Sequence, residues 1–137
     1  MINLRNRGKS WTNRERGGNT YKEVFLSSQD TAEFYFKELI PPPQSSLACL
    51  DFRFIKFSPG GSKTTLTVLA WPNRGKPGKV KIQQDSPDGE TWVRAQVTFK
   101  NVDRQFLLML RARGPRAGRL LLAVDSVRVR EGRCDEV

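Results

Sequence analysis

The stretch Val93-Arg94-Ala95-Gln96-Val97-Thr98-Phe99 alternates apolar and polar residues without a break. In an extended chain successive side chains point to opposite faces. Val93, Ala95, Val97 and Phe99 therefore share one side, and Arg94, Gln96 and Thr98 the other. The pattern is that of a half-buried strand. The same period recurs outward from it. Ala32, Phe34 and Phe36 alternate with Thr31, Glu33 and Tyr35, and Leu50, Phe52 and Phe54 with Asp51 and Arg53. Leu66, Val68 and Ala70 alternate with Thr65 and Thr67, while Val80 and Ile82 lie between Lys79, Lys81 and Gln83. Phe106 to Leu110 is apolar on both faces, as a central strand requires, and a last strand spans roughly Arg119 to Arg130.

Turn residues separate these runs. Pro41-Pro42-Pro43, Ser58-Pro59-Gly60-Gly61, Pro72-Asn73-Arg74-Gly75, Ser86-Pro87-Asp88-Gly89 and Arg113-Gly114-Pro115 each stop one segment before the next begins. No segment carries a capped helical stripe, so the pattern predicts an all-β sandwich or barrel. The 137 residues suffice for one domain with a core. Residues 1–20 are polar and rich in Gly and Arg, with Trp11 as their one large indole. They read as a basic, loosely ordered arm ahead of a sandwich over 21–134 and a short tail over 135–137.

The chain carries 24 Lys+Arg against 14 Asp+Glu, a formal charge of +10. The excess sits at the ends. Residues 1–20 hold five bases and one acid, and residues 104–133 hold eight arginines against two acids. Arg111, Arg113, Arg116 and Arg119 fall on and between the last two strands. A hairpin of those strands would gather them into a basic patch suited to sulfated glycans, lipid headgroups or nucleic acid. A solvated charged face is the plain alternative.

Catalytic chemistry finds little support. The chain has no His, hence neither the commonest general base nor the commonest transition-metal ligand. No Gly-rich loop precedes a helix, and no pair of carboxylates stands out by spacing. No catalytic residue and no cofactor is expected. Asp125 shares the odd-numbered line of the last strand with Leu121, Ala123, Val127 and Val129. A carboxylate on an apolar face must be hydrogen-bonded, paired or bound to a cation, so Asp125 is either a structural carboxylate or a lone candidate ligand for Ca²⁺ or Na⁺. The two cysteines, Cys49 and Cys134, each lie at the edge of a strand. Spacing alone leaves them as a disulfide or as two free thiols.

Cys49-Leu50-Asp51-Phe52-Arg53-Phe54, Trp92-Val93-Arg94-Ala95-Gln96-Val97 and Phe106-Leu107-Leu108 stand in order before the closing run Leu122-Ala123-Val124-Asp125-Ser126-Val127 and Gly132-Arg133-Cys134. In order and spacing these segments resemble MAM domains, over about residues 10–134. The resemblance implies a two-sheet antiparallel jelly-roll sandwich and a Cys49–Cys134 disulfide. It also implies an ectodomain setting, since MAM domains occur in adhesive receptor phosphatases, meprin-type proteases and neuropilins, where they mediate adhesion or oligomerisation without catalysis. The family's opening Cys-x-Phe-Glu strand has no match, so a sandwich short of its first strand is expected. Ser126 stands where the family has a second Asp, which weakens the cation role of Asp125. Met1 to Arg7 has no secretory character, so an extracellular role implies a longer parent protein.

The resulting expectation is a non-catalytic protein-interaction module of a cell-surface or secreted protein. Its partner would be a protein, another copy of itself included, with an anionic glycan as a second ligand. Two rivals share the strands: an intracellular nucleic-acid-binding β-domain, with Trp71 and Trp92 as its stacking platforms, and a capsid-type jelly roll.

Overall fold

The computed structural model describes residues 2–36, 47–72, 78–100 and 106–134, with the side chains of 2–8, 35–36 and 71–72 outside that description. The described residues form ten strands divided between two antiparallel sheets. The first sheet orders β1 (Ile2–Gly8), β4 (Thr31–Phe36), β9 (Phe106–Arg113), β6 (Leu66–Pro72) and β7 (Gly78–Ile82) side by side. The second orders β2 (Thr12–Arg16), β3 (Asn19–Ser27), β10 (Arg119–Glu131), β5 (Ala48–Phe57) and β8 (Val93–Phe99). The chain is a jelly-roll sandwich in which neighbouring strands are mostly remote in sequence.

Period-two patterning places the core as expected. Phe34, Leu50, Phe52, Phe54, Leu66, Val68, Val97, Phe99, Phe106, Leu108 and Leu110 all pack into one buried cluster between the sheets. The strand that is apolar on both faces, β9, is the middle strand of its sheet. Its outward Met109 meets Leu69 of β6 in a second, small buried cluster on the sheet's other face, with Leu107 against it.

Three expectations are corrected. The first concerns residues 1–20, which do not form a loosely ordered arm from residue 2 onward. β1 pairs with β4, and β2 forms a hairpin with β3 through Gly17 and Gly18, both at positive φ. Between β1 and β2 the Trp11 ring is buried against Phe34 at 5.1 Å, and its Nε1 donates to Glu33 O at 3.0 Å. Trp11 thus ties this mostly polar segment to the core.

The second correction concerns β9 and β10. They do not pair as a hairpin. β9 pairs with β4 and β6, β10 with β3 and β5, so residues 114–118 carry the chain from one sheet to the other. The third is the face of Asp125. Leu120, Leu122 and Val124 point inward, and a bulge between Asp125 and Arg128 then shifts the register against β5. Ser126 takes φ 54° at this bulge. The extra residue inverts the phase, so that Val127 and Val129 pack on the core. Asp125 precedes the inversion and lies on the outer face.

Cys49 and Cys134 form a disulfide with Cα atoms 4.9 Å apart. Gly132, at φ 95° and bonded through its N–H to Leu47 O, turns the chain back after β10. The N–H of Cys134 then donates to Thr98 Oγ1 at 3.2 Å, which seats the cystine over β5 and β8. Closing a loop of 85 residues restricts the unfolded chain by roughly 4–5 kcal/mol in the chain-entropy account.

Candidate interaction surface

The outer face of the second sheet has two halves. Over one half, the segment between β7 and β8 makes an excursion across the strands. Ser86 continues the edge beside β5 by exchanging hydrogen bonds with the Lys56 backbone, N–H to O at 2.8 Å and Lys56 N–H to Ser86 Oγ at 3.0 Å. Asp88 then caps a tight turn, accepting from the N–H groups of Glu90 at 2.8 Å and Thr91 at 2.7 Å. Those donors hold its carboxyl below the usual carboxylate range. Gly89 lies against Leu121 and Phe57, Trp92 meets Tyr21 edge-on at 5.2 Å, and Glu90 faces Arg16 at 3.6 Å. Beyond the excursion Phe25, opposite Leu121 in register, is left 50 % exposed.

The other half is charged. Arg94 forks onto Asp51, Nε to Oδ1 at 3.1 Å and Nη2 to Oδ2 at 2.6 Å. The hydrogen bond from Arg94 lowers the Asp51 pKa and raises that of Arg94. Asp125 accepts from Asn19 Nδ2 at 2.6 Å and from the N–H of Ser126 at 2.8 Å. Its acceptors thus brace the bulge. Among the described residues no group of three or more acidic, His or Cys side chains converges.

The four arginines expected to form one patch are divided. Arg111 and Arg113 belong to the outward line of β9 on the first sheet, and Arg111 faces Glu33 at 3.7 Å. Arg119 opens β10 on the outward line of the second sheet. Arg113 and Arg116 remain together, both exposed, on the rim of one surface cavity. Trp92, a proposed stacking platform, is half-buried against Tyr21, and the Trp71 side chain lies outside the described residues, as does all of the 135–137 tail.

One structural feature behind this face carries no motif in the sequence. Lys56 is completely buried, at the end of the inward line Leu50, Phe52, Phe54. Its Nζ donates to Thr64 O at 2.7 Å, Thr64 Oγ1 at 3.2 Å, Gln83 O at 3.3 Å and Asp85 Oδ1 at 2.5 Å. One ammonium therefore ties β5 to both the β5–β6 crossover and the root of the excursion. The parity shared with Phe54 was the available signal.

The described residues thus form a disulfide-closed jelly roll whose outer face carries braced surface segments. The chain belongs to the MAM domain family (MAM domain, meprin/A5/mu), whose profile matches residues 5–135. MAM domains are extracellular, non-catalytic modules that mediate protein interactions. The match includes β2 and β3 and most of β1, so the family's domain begins well before residue 21.

No curated protein matches the chain in sequence. Solved structures share its fold. A family 61 carbohydrate-binding module in complex with β-1,4-galactotriose superposes with a TM-score of 0.63 at 10% identity, covering 96% of this chain and 88% of that one. The module CBM6cm-2 from Cellvibrio mixtus lichenase 5A, in complex with cellotriose, gives 0.57 at 14% identity over 96% and 97%. A family 29 module from Piromyces equi gives 0.56 at 9% identity over 99% and 84%. At these identities the likeness is one of fold.

Proposed function

We propose that this domain is a non-catalytic recognition module of a longer cell-surface or secreted protein, binding a protein partner, with an anionic glycan as a second ligand. The observation that supports it best is the Cys49–Cys134 bond across β5 and the end of β10, inside a sandwich that the MAM profile spans from 5 to 135. Such a cystine persists in oxidising surroundings, where MAM domains work. A second copy of the chain is one candidate partner. With +10 on each copy, long-range repulsion opposes self-association, and salt screens that repulsion.

The test uses the oxidised domain, fluorescently labelled and tetramerised, on intact animal cells. Saturable binding that is lost after light surface proteolysis supports a protein partner. Absence of saturable binding on every cell type, together with sedimentation as a monomer at all salt concentrations, would defeat the proposal.

A further inference from the structure

Three crossovers between the sheets meet at one end of the sandwich. They run from β3 to β4 at residues 28–30, from β5 to β6 at 58–65 and from β9 to β10 at 114–118. Hydrogen bonds join them: Gly114 N–H to Asp30 O at 2.8 Å, and Ser62 Oγ to Ala117 O at 3.0 Å. The approach at Gly114 is so close that a Cβ there would fall 1.8 Å from Ser27 O. The corner is therefore built to a fixed shape. The opposing turn is fixed as well, since the Ser27 N–H donates to Asp30 Oδ2 at 2.9 Å, the Asp30 N–H returns to Ser27 O at 3.0 Å, and Gln29 sits at φ 68°.

Between the two segments lies an open cavity of about 490 Å³, lined by Ser28, Gln29, Thr31, Arg113 and Arg116. That is the size of a small-molecule site rather than of a single ion. Its polar groups are two hydroxyls, an amide and two guanidinium-bearing side chains. Asp30, between Gln29 and Thr31 in the chain, accepts the N–H of Ser27. Among the described residues neither Arg113 nor Arg116 has an ion pair. Lys9, whose N–H donates to Thr31 O at 2.7 Å, exposed Lys63 on the neighbouring crossover and exposed Arg119 at the start of β10 add positive charge to this end of the sandwich.

Guanidinium groups recognise oxyanions through paired N–H donors, hydroxyls and an amide suit sugar oxygens, and the surrounding bases favour a polyanion over an isolated anion. We infer that this corner is a binding site for a sulfated polysaccharide, with a sulfated sugar residue in the cavity between Arg113 and Arg116. The inference rests on the extracellular reading above and deepens its glycan arm. The sequence-level patch is thereby narrowed to two arginines, joined by Ser28, Gln29 and Thr31 from a segment some eighty residues earlier.

The experiment titrates a heparin-derived hexasaccharide into the oxidised domain by calorimetry at several NaCl concentrations. The proteins are wild type, R113A/R116A and K79A/K81A, the last removing the same charge from the outward line of β7. Tenfold or greater weakening by R113A/R116A, with less than twofold by K79A/K81A and no binding of the desulfated hexasaccharide, is the expected result. All three proteins should have the same urea midpoint, since the substituted side chains are exposed. Equal weakening by the two double variants would reduce the site to net charge and overturn the inference. So would single-stranded DNA binding as tightly as the hexasaccharide with the same sensitivity to R113A/R116A. Protease-sensitive cell binding that survives R113A/R116A, alongside failed hexasaccharide binding, would remove this site and leave the protein-recognition reading standing.

Discussion

Lys56 and Asp85 meet with Nζ 2.5 Å from Oδ1, the ammonium wholly buried and the carboxylate side chain 46% exposed. The pair is asymmetric, so its two halves should respond differently to substitution. Met in place of Lys56 keeps the stem's length but leaves the carbonyls of Thr64 and Gln83 without that donor. The expected loss is about 2–4 kcal/mol in urea denaturation, the size of stranded buried acceptors. Asn in place of Asp85 keeps an oxygen acceptor of the same shape beside Nζ and removes only the charge, so the expected cost is smaller, about 1–2 kcal/mol. Equal costs at the two positions would contradict the asymmetry.

Gly114→Ala should be among the most disruptive single substitutions in the domain. The new Cβ would overlap Ser27 O at 1.8 Å, and that oxygen belongs to backbone fixed by the turn. Separating the two crossovers should cost about 2–4 kcal/mol. Gly60→Ala, where a Cβ meets nothing within 4 Å, should change stability by no more than about 0.5 kcal/mol. Thermal unfolding of both variants compares the two positions directly.

Trp11→Ala should cost about 3–5 kcal/mol, in the range for truncating a buried indole, because the ring packs on Phe34 and its Nε1–H is spent on Glu33 O. Amide exchange along β2 should rise in this variant more than exchange along β8. Uniform protection in both strands would mean that the indole does not secure the amino-terminal segment.

Asp51 sets an acid dependence. Its hydrogen bond from Arg94 lowers the native pKa below the ordinary 3.8. The native state therefore favours the ionised form, and this contribution is present at neutral pH. It is lost as pH falls through the depressed native value. The stability difference between wild type and Asp51→Asn should stay level from neutral pH to about pH 5 and then shrink in more acidic solution. A difference that is unchanged down to pH 2 would exclude the linkage.

Several features of the fold can be read residue by residue. Val93 to Phe99 and Leu50 to Phe54 turn the faces they should, and β9 is central as its two apolar faces require. The misplacements have specific causes. The stretch over 1–20 looks like an arm because its large apolar residues, Met1, Ile2, Leu4 and Trp11, are few among polar ones and set no sustained period. Asp125 falls on the wrong face because a one-residue bulge at Ser126 has no compositional signature, although it inverts every side chain after it. Lys56 was passed over because a lysine is rarely fully buried, even though its parity matched that of Phe54.

Local alternation by itself determined that the chain is all-β and most of the residues packed between its sheets, because the two-residue period of a strand is a property of the backbone. The sequence order of strands did not determine their partners. Five residues between β9 and β10 are long enough either for a hairpin loop or for the roughly 10 Å between packed sheets. Only the tertiary structure decided for the crossing, by giving β9 to β4 and β6 and seating Gly114 on Ser27. That long-range choice sent Arg111 and Arg119 to different sheets and brought Arg113 and Arg116 to Ser28 and Thr31.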